Sequence, residues 1–177
     1  MNALRFSQTA LVFFISFYLL LVGYNNMVDY ESNFGFVQHV LLMDTIFPNN
    51  PLAHRSLTNS TLHHAVYWGI IFGEIASGVL CFLGGVRLFQ NIRSENSVFI
   101  NAKSLAIAGL TIGIALWFFA FMTIAGEWFL MWQSQKWNGQ QAAFRLIVCM
   151  GIVLIYLIQN EPGSVSSCGT ESKEPRA

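Results

Sequence analysis

The sequence predicts an all-α, polytopic membrane protein: a four-transmembrane-helix bundle with a structured outward-facing cap. Hydrophobic residues make up 54% of the 177 residues and charged residues only 10%, whereas soluble domains carry about a quarter charged residues. The apolar residues are concentrated in four long segments, each close to the roughly 20 residues that cross a bilayer core. A formal net charge of zero leaves no electrostatic footprint for nucleic acid. The expected environment is therefore the lipid bilayer, and no nucleic-acid partner is predicted.

The first span is predicted at about residues 7–24. One arginine precedes an apolar run that ends in Tyr-Asn-Asn, so the segment superficially resembles a signal peptide. It lacks the small-x-small pattern of a cleavage site. We therefore interpret it as a permanent span.

The outward loop, residues 25–61, is long for a connection in a compact domain, and such loops usually carry function or have structure of their own. Between Asn33 and Phe47, four apolar residues recur at helical spacing: Phe34, Val37, Leu41 and Leu42. This spacing predicts a short amphipathic helix that lies at the membrane surface or against the bundle.

Three further spans are predicted at about residues 62–89, 103–127 and 142–158. The sequence Thr-Asn-Ser-Thr before the second is typical of a helix cap, and we interpret Asn59-Ser60-Thr61 as that cap although it also fits a glycosylation sequon. Residues 1–161 thus form the transmembrane domain. Residues 162–177 are small, polar and rich in Gly and Pro, which predicts a disordered cytoplasmic tail.

The distribution of basic residues predicts the orientation, since cytoplasmic loops carry an excess of Lys and Arg. Six fall on the side of the termini and three on the other: Arg5, Arg87, Arg93, Lys103, Lys173 and Arg176 against Arg55, Lys136 and Arg145. Both termini are therefore expected in the cytoplasm. The outward loop and residues 128–140 would then face outward, where tryptophans suit an interfacial aromatic belt.

Glu74 is the most informative single residue, because it lies roughly 18 Å down the second span at 1.5 Å per residue. His63, Tyr67 and Glu74 share one helical face, and Cys81 extends this polar stripe. Beside it, Gly69, Gly73 and Ser77 form a small-xxx-small row that predicts close approach of a neighbouring helix.

An intramembrane carboxylate normally pairs, is protonated or faces the bundle interior. Glu74 is therefore either a staple between helices or part of a proton path or a pocket for a lipid or quinone headgroup. Arg145 is a candidate ion-pair partner for Glu127 or Glu74. Among the outward-loop residues, His39 and Asp44 are the ones most expected to have a functional role in addition to stabilising the outward-facing cap. The candidate polar pocket comprises Asp29, His39, Asp44, His63, Tyr67, Glu74, Glu127 and Arg145.

No catalytic residue, metal site or cofactor is predicted. The nucleophile, Walker and dinucleotide motifs are absent, as is HExxH, and adjacent His63 and His64 point about 100° apart on a helix. The three cysteines form no CxxC pair or disulfide framework.

Residues 127–145 carry an unusual number of amides and tryptophans. Trp128 and Trp132 share a helix face, and we interpret the rest as an interfacial helix end with an Asn-Gly turn into the fourth span. Aromatic side chains with polar neighbours also suit protein contacts. The candidate outer interface comprises Trp128, Trp132, Gln133, Trp137 and Asn138.

Three segments, YNNMVDYESNFGFVQHVLLMDTIFP, LHHAVYWGIIFGE and GEWFLMWQSQKWNGQQAAFR, resemble a bacterial family of predicted small integral membrane proteins of unknown function. The resemblance covers the chain from the first span through the fourth and excludes the tail after Glu161. It implies a multi-pass protein of the bacterial inner membrane with four spans. It supplies no catalytic residue.

The sequence is compatible with three hypotheses for the function of the protein. The leading one is a non-enzymatic accessory or assembly subunit that contacts a membrane-protein partner. The alternative is binding or transport of a small molecule, lipid headgroup or proton through an outward-facing pocket that leads to Glu74. A second alternative is a metal- or quinone-dependent membrane enzyme.

Overall fold

Four helices in the computed structural model are long and apolar enough to cross a membrane. The structure describes residues 3–159, and within that range it contains helices and no β-strand, which confirms the predicted all-α class. The predicted tail, residues 162–177, lies outside the described residues. The helices are α1 (Ala3–Val28), α2 (Tyr30–Leu42), α3 (Ser60–Gln90), α4 (Asn96–Ala102), α5 (Ser104–Ile114) with a π-helical continuation (Ala115–Trp128), and α6 (Gln140–Ile158).

Two spans extend further than the apolar pattern indicated. Helix α1 continues through the Tyr-Asn-Asn sequence to Val28, because an asparagine there is hydrogen-bonded to another helix, as described below. The third span starts at Asn96, since α4 and α5 follow one another directly at Lys103. Helix α3 begins where predicted: the Asn59 side chain accepts hydrogen bonds from the backbone N–H groups of Thr61 (2.9 Å) and Leu62 (3.3 Å), the geometry of an N-cap.

The predicted short amphipathic helix is present as α2. It ends at Leu42 because Met43 adopts a left-handed backbone conformation, with φ 53°, which terminates helices. We call residues 29–59 together with residues 129–139 the cap. A single apolar cluster joins both parts of the cap to α3: Phe34, Val37, Val40, Leu41, Met43, Tyr67, Ile71, Phe129, Leu130 and Met131.

Helix α3 is the centre of the bundle and packs against α1 and α5 at very short distances. A Cβ atom added at Gly109 would lie 2.7 Å from the Cys81 backbone nitrogen, and one at Gly78 would lie 2.8 Å from the Leu20 side chain. Ser77 donates a hydrogen bond to the Gly109 carbonyl oxygen at 2.6 Å. Because lipid offers no hydrophobic driving force between helices, close packing and interhelical hydrogen bonds hold such a bundle together.

Of the predicted row of Gly69, Gly73 and Ser77, only Ser77 takes part in the close contact with α5. No atom lies within 4 Å of a Cβ built at Gly69, and Gly73 meets only the flexible Leu116 side chain, at 3.3 Å. The contact face with α5 lies further along α3, at Ser77, Cys81 and Gly84. Its position depends on the small residues that α5 presents, and i, i+4 spacing within α3 alone does not contain that information.

At the end of the bundle opposite the cap, polar side chains bond the last carbonyl groups of α6. Gln8 donates to the carbonyl oxygens of Tyr156 (2.8 Å) and Leu157 (3.2 Å), and Lys103 Nζ donates to that of Gln159 (2.9 Å). The final carbonyls of a helix lack intrahelical partners and carry partial negative charge. A cation and an amide from two other helices therefore stabilise this terminus.

Candidate functional site

The polar stripe on α3 lies on the face that the rest of the chain covers. His63 and Tyr67 are each 1% exposed, and Glu74 and Cys81 are fully buried. A carboxylate in this position has lost its water and needs hydrogen-bond or charge partners within the protein. The surroundings of Glu74 therefore form the candidate functional site.

Glu74 is held by a chain of amides that reaches the cap. Asn26 Nδ2 donates to Glu74 Oε2 at 2.7 Å, and Asn33 Nδ2 donates to Asn26 Oδ1 at 2.9 Å. Tyr67 adds a hydrogen bond from its hydroxyl to the Asn26 carbonyl oxygen at 3.2 Å. One carboxylate thus connects α1, α2 and α3.

Gly23 explains how Asn26 reaches Glu74. A Cβ atom at Gly23 would lie 2.6 Å from the Ile75 side chain and 3.5 Å from Glu74 Cβ, so α1 comes closest to α3 at this point. Asn26 lies three residues further on, on the same face of α1. The missing Cβ at Gly23 therefore brings the Asn26 amide within hydrogen-bond distance of Glu74.

A cavity of about 290 Å³ lies against this network. Two buried polar atoms on its lining side chains, Glu74 Oε1 and Trp117 Nε1, have no hydrogen-bond partner among the described residues. Buried polar atoms are nearly always paired in proteins, and an unpaired one costs about 1–3 kcal/mol. The lining residues are Val22, Asn25, Asn26, Asn33, Phe36, Val37, Tyr67, Ile70, Glu74, Trp117 and Phe121.

A second, apolar pocket of about 210 Å³ adjoins the first. Phe36, Val37, Ile70 and Phe121 line both spaces. The rings of Phe36 and Phe121 stack with their centroids 5.9 Å apart, so these two side chains lie at the boundary. The other lining residues of the apolar pocket are Val40, Leu41, Leu57, Val66, Phe119, Ala120, Ile124, Ala125 and Phe129.

The profile of a protein family described as "Predicted small integral membrane protein (DUF2165)" matches residues 4–160. The chain belongs to this family. No curated protein and no solved structure matches it. The match confirms the resemblance that the three motifs indicated, and it includes every residue that lines the two pockets of this DUF2165 chain.

Only two of the eight predicted pocket residues of the DUF2165 chain, Tyr67 and Glu74, line the Glu74 cavity. His63 bonds the Leu57 carbonyl oxygen through Nε2 at 2.8 Å, and its buried Nδ1 has no hydrogen-bond partner in the described part of the chain. Asp29 is exposed and accepts a hydrogen bond from Ser32 at 2.8 Å. These two residues hold local structure of the cap.

The predicted ion pairs of Arg145 do not form. Arg145 is exposed and donates to Gln141 at 3.4 Å, Glu127 is exposed, and neither carboxylate forms an ion pair with Arg145 within residues 3–159. Helix α6 turns Ala143 and Met150 inward. Arg145 follows Ala143 by two residues, about 200° around the helix, and therefore points away from the bundle interior.

Tyr30 extends the aromatic part of the cap beside the site. Burial raises the pKa of the Tyr30 hydroxyl, and the charge of Glu31 raises this pKa further. The hydroxyl therefore keeps its proton at neutral pH, and it is hydrogen-bonded to His64 Nδ1 at 2.8 Å. His64 also stacks on Phe34 at 4.0 Å, which fixes the start of α3 against α2.

The predicted outer interface is partly used by the cap itself. Gln133 is buried and accepts hydrogen bonds from the Phe47 backbone (3.0 Å) and from Asn50 (3.1 Å). Trp137 stacks on His39 at 4.6 Å. Asn138 donates to the Trp132 carbonyl oxygen at 3.4 Å, whereas the side chains of Trp128 and Trp132 remain about half exposed.

Metal ligands do not converge in the described region: no three His, Cys, Asp or Glu side chains come together there as a metal site requires. Sequence reasoning missed Asn26, Asn33 and Trp117 as site residues. Trp117 had a usable signal, because a tryptophan in the middle of a span departs from the preference of tryptophan for the membrane interface. Nothing in the sequence paired Asn26 with Glu74.

His39 and Asp44 form a close pair outside the cavity, with Nδ1 and Oδ2 2.6 Å apart and both side chains more than a third exposed. We expect Asp44→Asn to change the free energy of unfolding by less than about 1 kcal/mol, because water screens exposed pairs. Denaturant titration of the purified protein in mixed micelles measures this. A loss above 2 kcal/mol would show that the pair holds the cap in place.

Proposed function

We propose that this integral membrane protein binds a small molecule in the Glu74 cavity. One observation carries the proposal: Glu74 Oε1 and Trp117 Nε1 are buried, lack partners among the described residues, and belong to side chains that line the same cavity. A few polar groups converging in a largely apolar pocket are typical of ligand sites. A ligand with hydrogen-bonding groups would pair both atoms.

The same residues also staple the helices together, and the two roles are compatible. Asn26 donates a hydrogen bond to only one of the two carboxylate oxygens of Glu74. The other oxygen can therefore bind a ligand while the hydrogen bond between the helices stays intact. This arrangement favours the binding hypothesis over a purely structural carboxylate. A ligand in the cavity would in addition pair Oε1 and the neighbouring Trp117 Nε1, which the staple does not use.

Retention of a ligand through purification tests the proposal. The wild-type protein and the Glu74→Ala and Glu127→Ala variants are purified from their membranes in mild detergent, and extracted small molecules are compared by mass spectrometry. Glu127→Ala is the matched control, since it also removes one carboxylate but from an exposed position away from the cavity. We expect one compound in stoichiometric amounts from the wild type and the control, and at least tenfold less from Glu74→Ala.

Trp117→Phe is a second variant of the site, needed in case Glu74→Ala misfolds. It keeps an aromatic ring and removes only the N–H group. It should also retain less of the compound while elution volume and helical content stay unchanged. Equal compound recovery from all four proteins, or none from the wild type, would contradict the proposal.

The accessory-subunit hypothesis has a narrower basis. The exposed side chains of Phe47, Trp128 and Trp132 on the cap suit a protein contact or an interfacial aromatic belt equally well. Copurification with one stoichiometric membrane protein, lost on Trp128→Ala and Trp132→Ala, would support it.

We further propose that the protein resides in a bacterial inner membrane with both termini cytoplasmic and the cap outside. The six-to-three distribution of Lys and Arg supports this orientation. Reporter fusions at His54 and Glu95 would respectively report the outer and the inner side.

A further inference from the structure

The charge of the Glu74 cavity points to the chemistry of its ligand. Glu74 is the only acidic residue among the described lining residues, and no Lys, Arg or His is among them. Glu74 also has no ion pair in the described region. A buried carboxylate without a cationic partner favours a cationic ligand group and repels an anionic one.

Aromatic rings surround the same space. Phe36, Tyr67, Trp117 and Phe121 all line the cavity, and the rings of Trp117 and Phe121 lie 4.8 Å apart. Aromatic faces attract organic cations, most strongly where water is excluded. A carboxylate among four aromatic residues is the combination that recognises an ammonium group.

The neighbouring pocket is suited to a hydrocarbon group. Its lining is apolar throughout, and Phe36 and Phe121 separate it from the Glu74 cavity. A ligand whose charged group lies at Glu74 would reach this apolar space if the two stacked rings, whose centroids are 5.9 Å apart, moved aside. The remaining unpaired donor, Trp117 Nε1, would be paired by an oxygen acceptor on the ligand.

We propose that the ligand is an amphiphilic amine bearing an oxygen acceptor: its ammonium group binds at Glu74, its oxygen accepts from Trp117 Nε1, and its hydrocarbon part occupies the apolar pocket beyond Phe36 and Phe121. This inference rests on the proposed function and names the ligand class for the same cavity.

Titration calorimetry with five probes tests each part of the inference on the full chain in lipid nanodiscs. The probes are 2-aminooctan-1-ol, octylamine, octanamide, octanoate and ethanolamine. Nanodiscs without protein serve as the reference for partitioning into lipid, and Glu74→Gln is the comparison variant, because it keeps the side-chain volume and removes the negative charge. We expect saturable binding of 2-aminooctan-1-ol to the wild type, weakened at least tenfold in Glu74→Gln.

The other probes separate the parts of the site. Octylamine should bind about fivefold more weakly than 2-aminooctan-1-ol, the worth of about one hydrogen bond, and Trp117→Phe should abolish that difference. Ethanolamine should bind at least tenfold more weakly, because it lacks the hydrocarbon part. Octanoate should not bind saturably.

Several outcomes would overturn the inference. Octanamide binding better than octylamine, unchanged by Glu74→Gln, would identify a neutral ligand and would leave the proposed binding function standing. Ethanolamine matching 2-aminooctan-1-ol would rule out the hydrocarbon site. No saturable binding of either amine would refute the amine class, and copurification of a compound at Glu74 would then decide the proposed function separately.

Discussion

Gly84→Ala should lower the free energy of unfolding by about 2 kcal/mol. A Cβ atom at this position would collide with the backbone of Ala106 in α5, lying 2.7 Å from its Cα. Backbone atoms cannot move aside like the end of a side chain, so α3 and α5 would have to separate. Overpacking of this kind costs about 1–3 kcal/mol or more, and the gain of up to about 1 kcal/mol from alanine in a helix offsets it only in part.

Gly69→Ala provides the matched control in the same helix. No atom lies within 4 Å of a Cβ at Gly69, so this substitution should leave stability unchanged or raise it by up to about 1 kcal/mol. Both variants are compared with the wild type by denaturant titration in mixed micelles, followed by circular dichroism. Equal stability of the two variants would mean that α3 and α5 do not approach as closely as described.

The contrast between these two glycines illustrates which aspects of the fold the sequence could predict. The four apolar runs were sufficient to predict the number of spans, because a helix can cross the bilayer if it is long enough and apolar enough. The periodicity of the outward loop likewise indicated α2. The interhelical face required knowledge of which helix lies next to α3, and a hydrophobicity pattern within one helix does not contain that information.

The candidate site was predictable to a similar degree. Helical spacing placed Tyr67 and Glu74 on one face, and both line the cavity. The partner of Glu74 was not predictable, since Asn26 lies 48 positions away along the chain and no sequence pattern relates the two residues. Charge complementarity suggested Arg145, but opposite charges carry no information about the direction in which each helix faces.

The amides near residues 133–141 show a second limit. Gln133 looked like its neighbours in the sequence, yet it alone of the predicted interface amides is buried. Its side-chain oxygen accepts the Phe47 backbone N–H, which ties the two parts of the cap together. Which of these amides is buried and hydrogen-bonded depends on which other segment of the chain packs against it, and tertiary packing decides this.

Asn26→Leu should lower the free energy of unfolding by about 2 kcal/mol, because it removes the only hydrogen-bond partner that Glu74 has among the described residues. Hydrogen bonds to charged groups contribute about 1.5–3 kcal/mol, and a buried group left unpaired loses its hydration without compensation. The same denaturant titration measures the change. Asn25→Leu is the control: Asn25 lines the same cavity but makes no side-chain bond to Glu74, so its effect should stay within about 0.5 kcal/mol.

The double variant Asn26→Leu with Glu74→Met should be more stable than Asn26→Leu alone. Replacing both partners of a buried hydrogen bond by apolar groups of similar shape is nearly neutral, because no unpaired group remains. The double variant would thus keep the fold while it lacks the carboxylate, so its loss of ligand could not be attributed to unfolding. If it were instead less stable than the single variant, Glu74 would contribute to the bundle through contacts other than Asn26, and the stapling and binding roles would be inseparable at this residue.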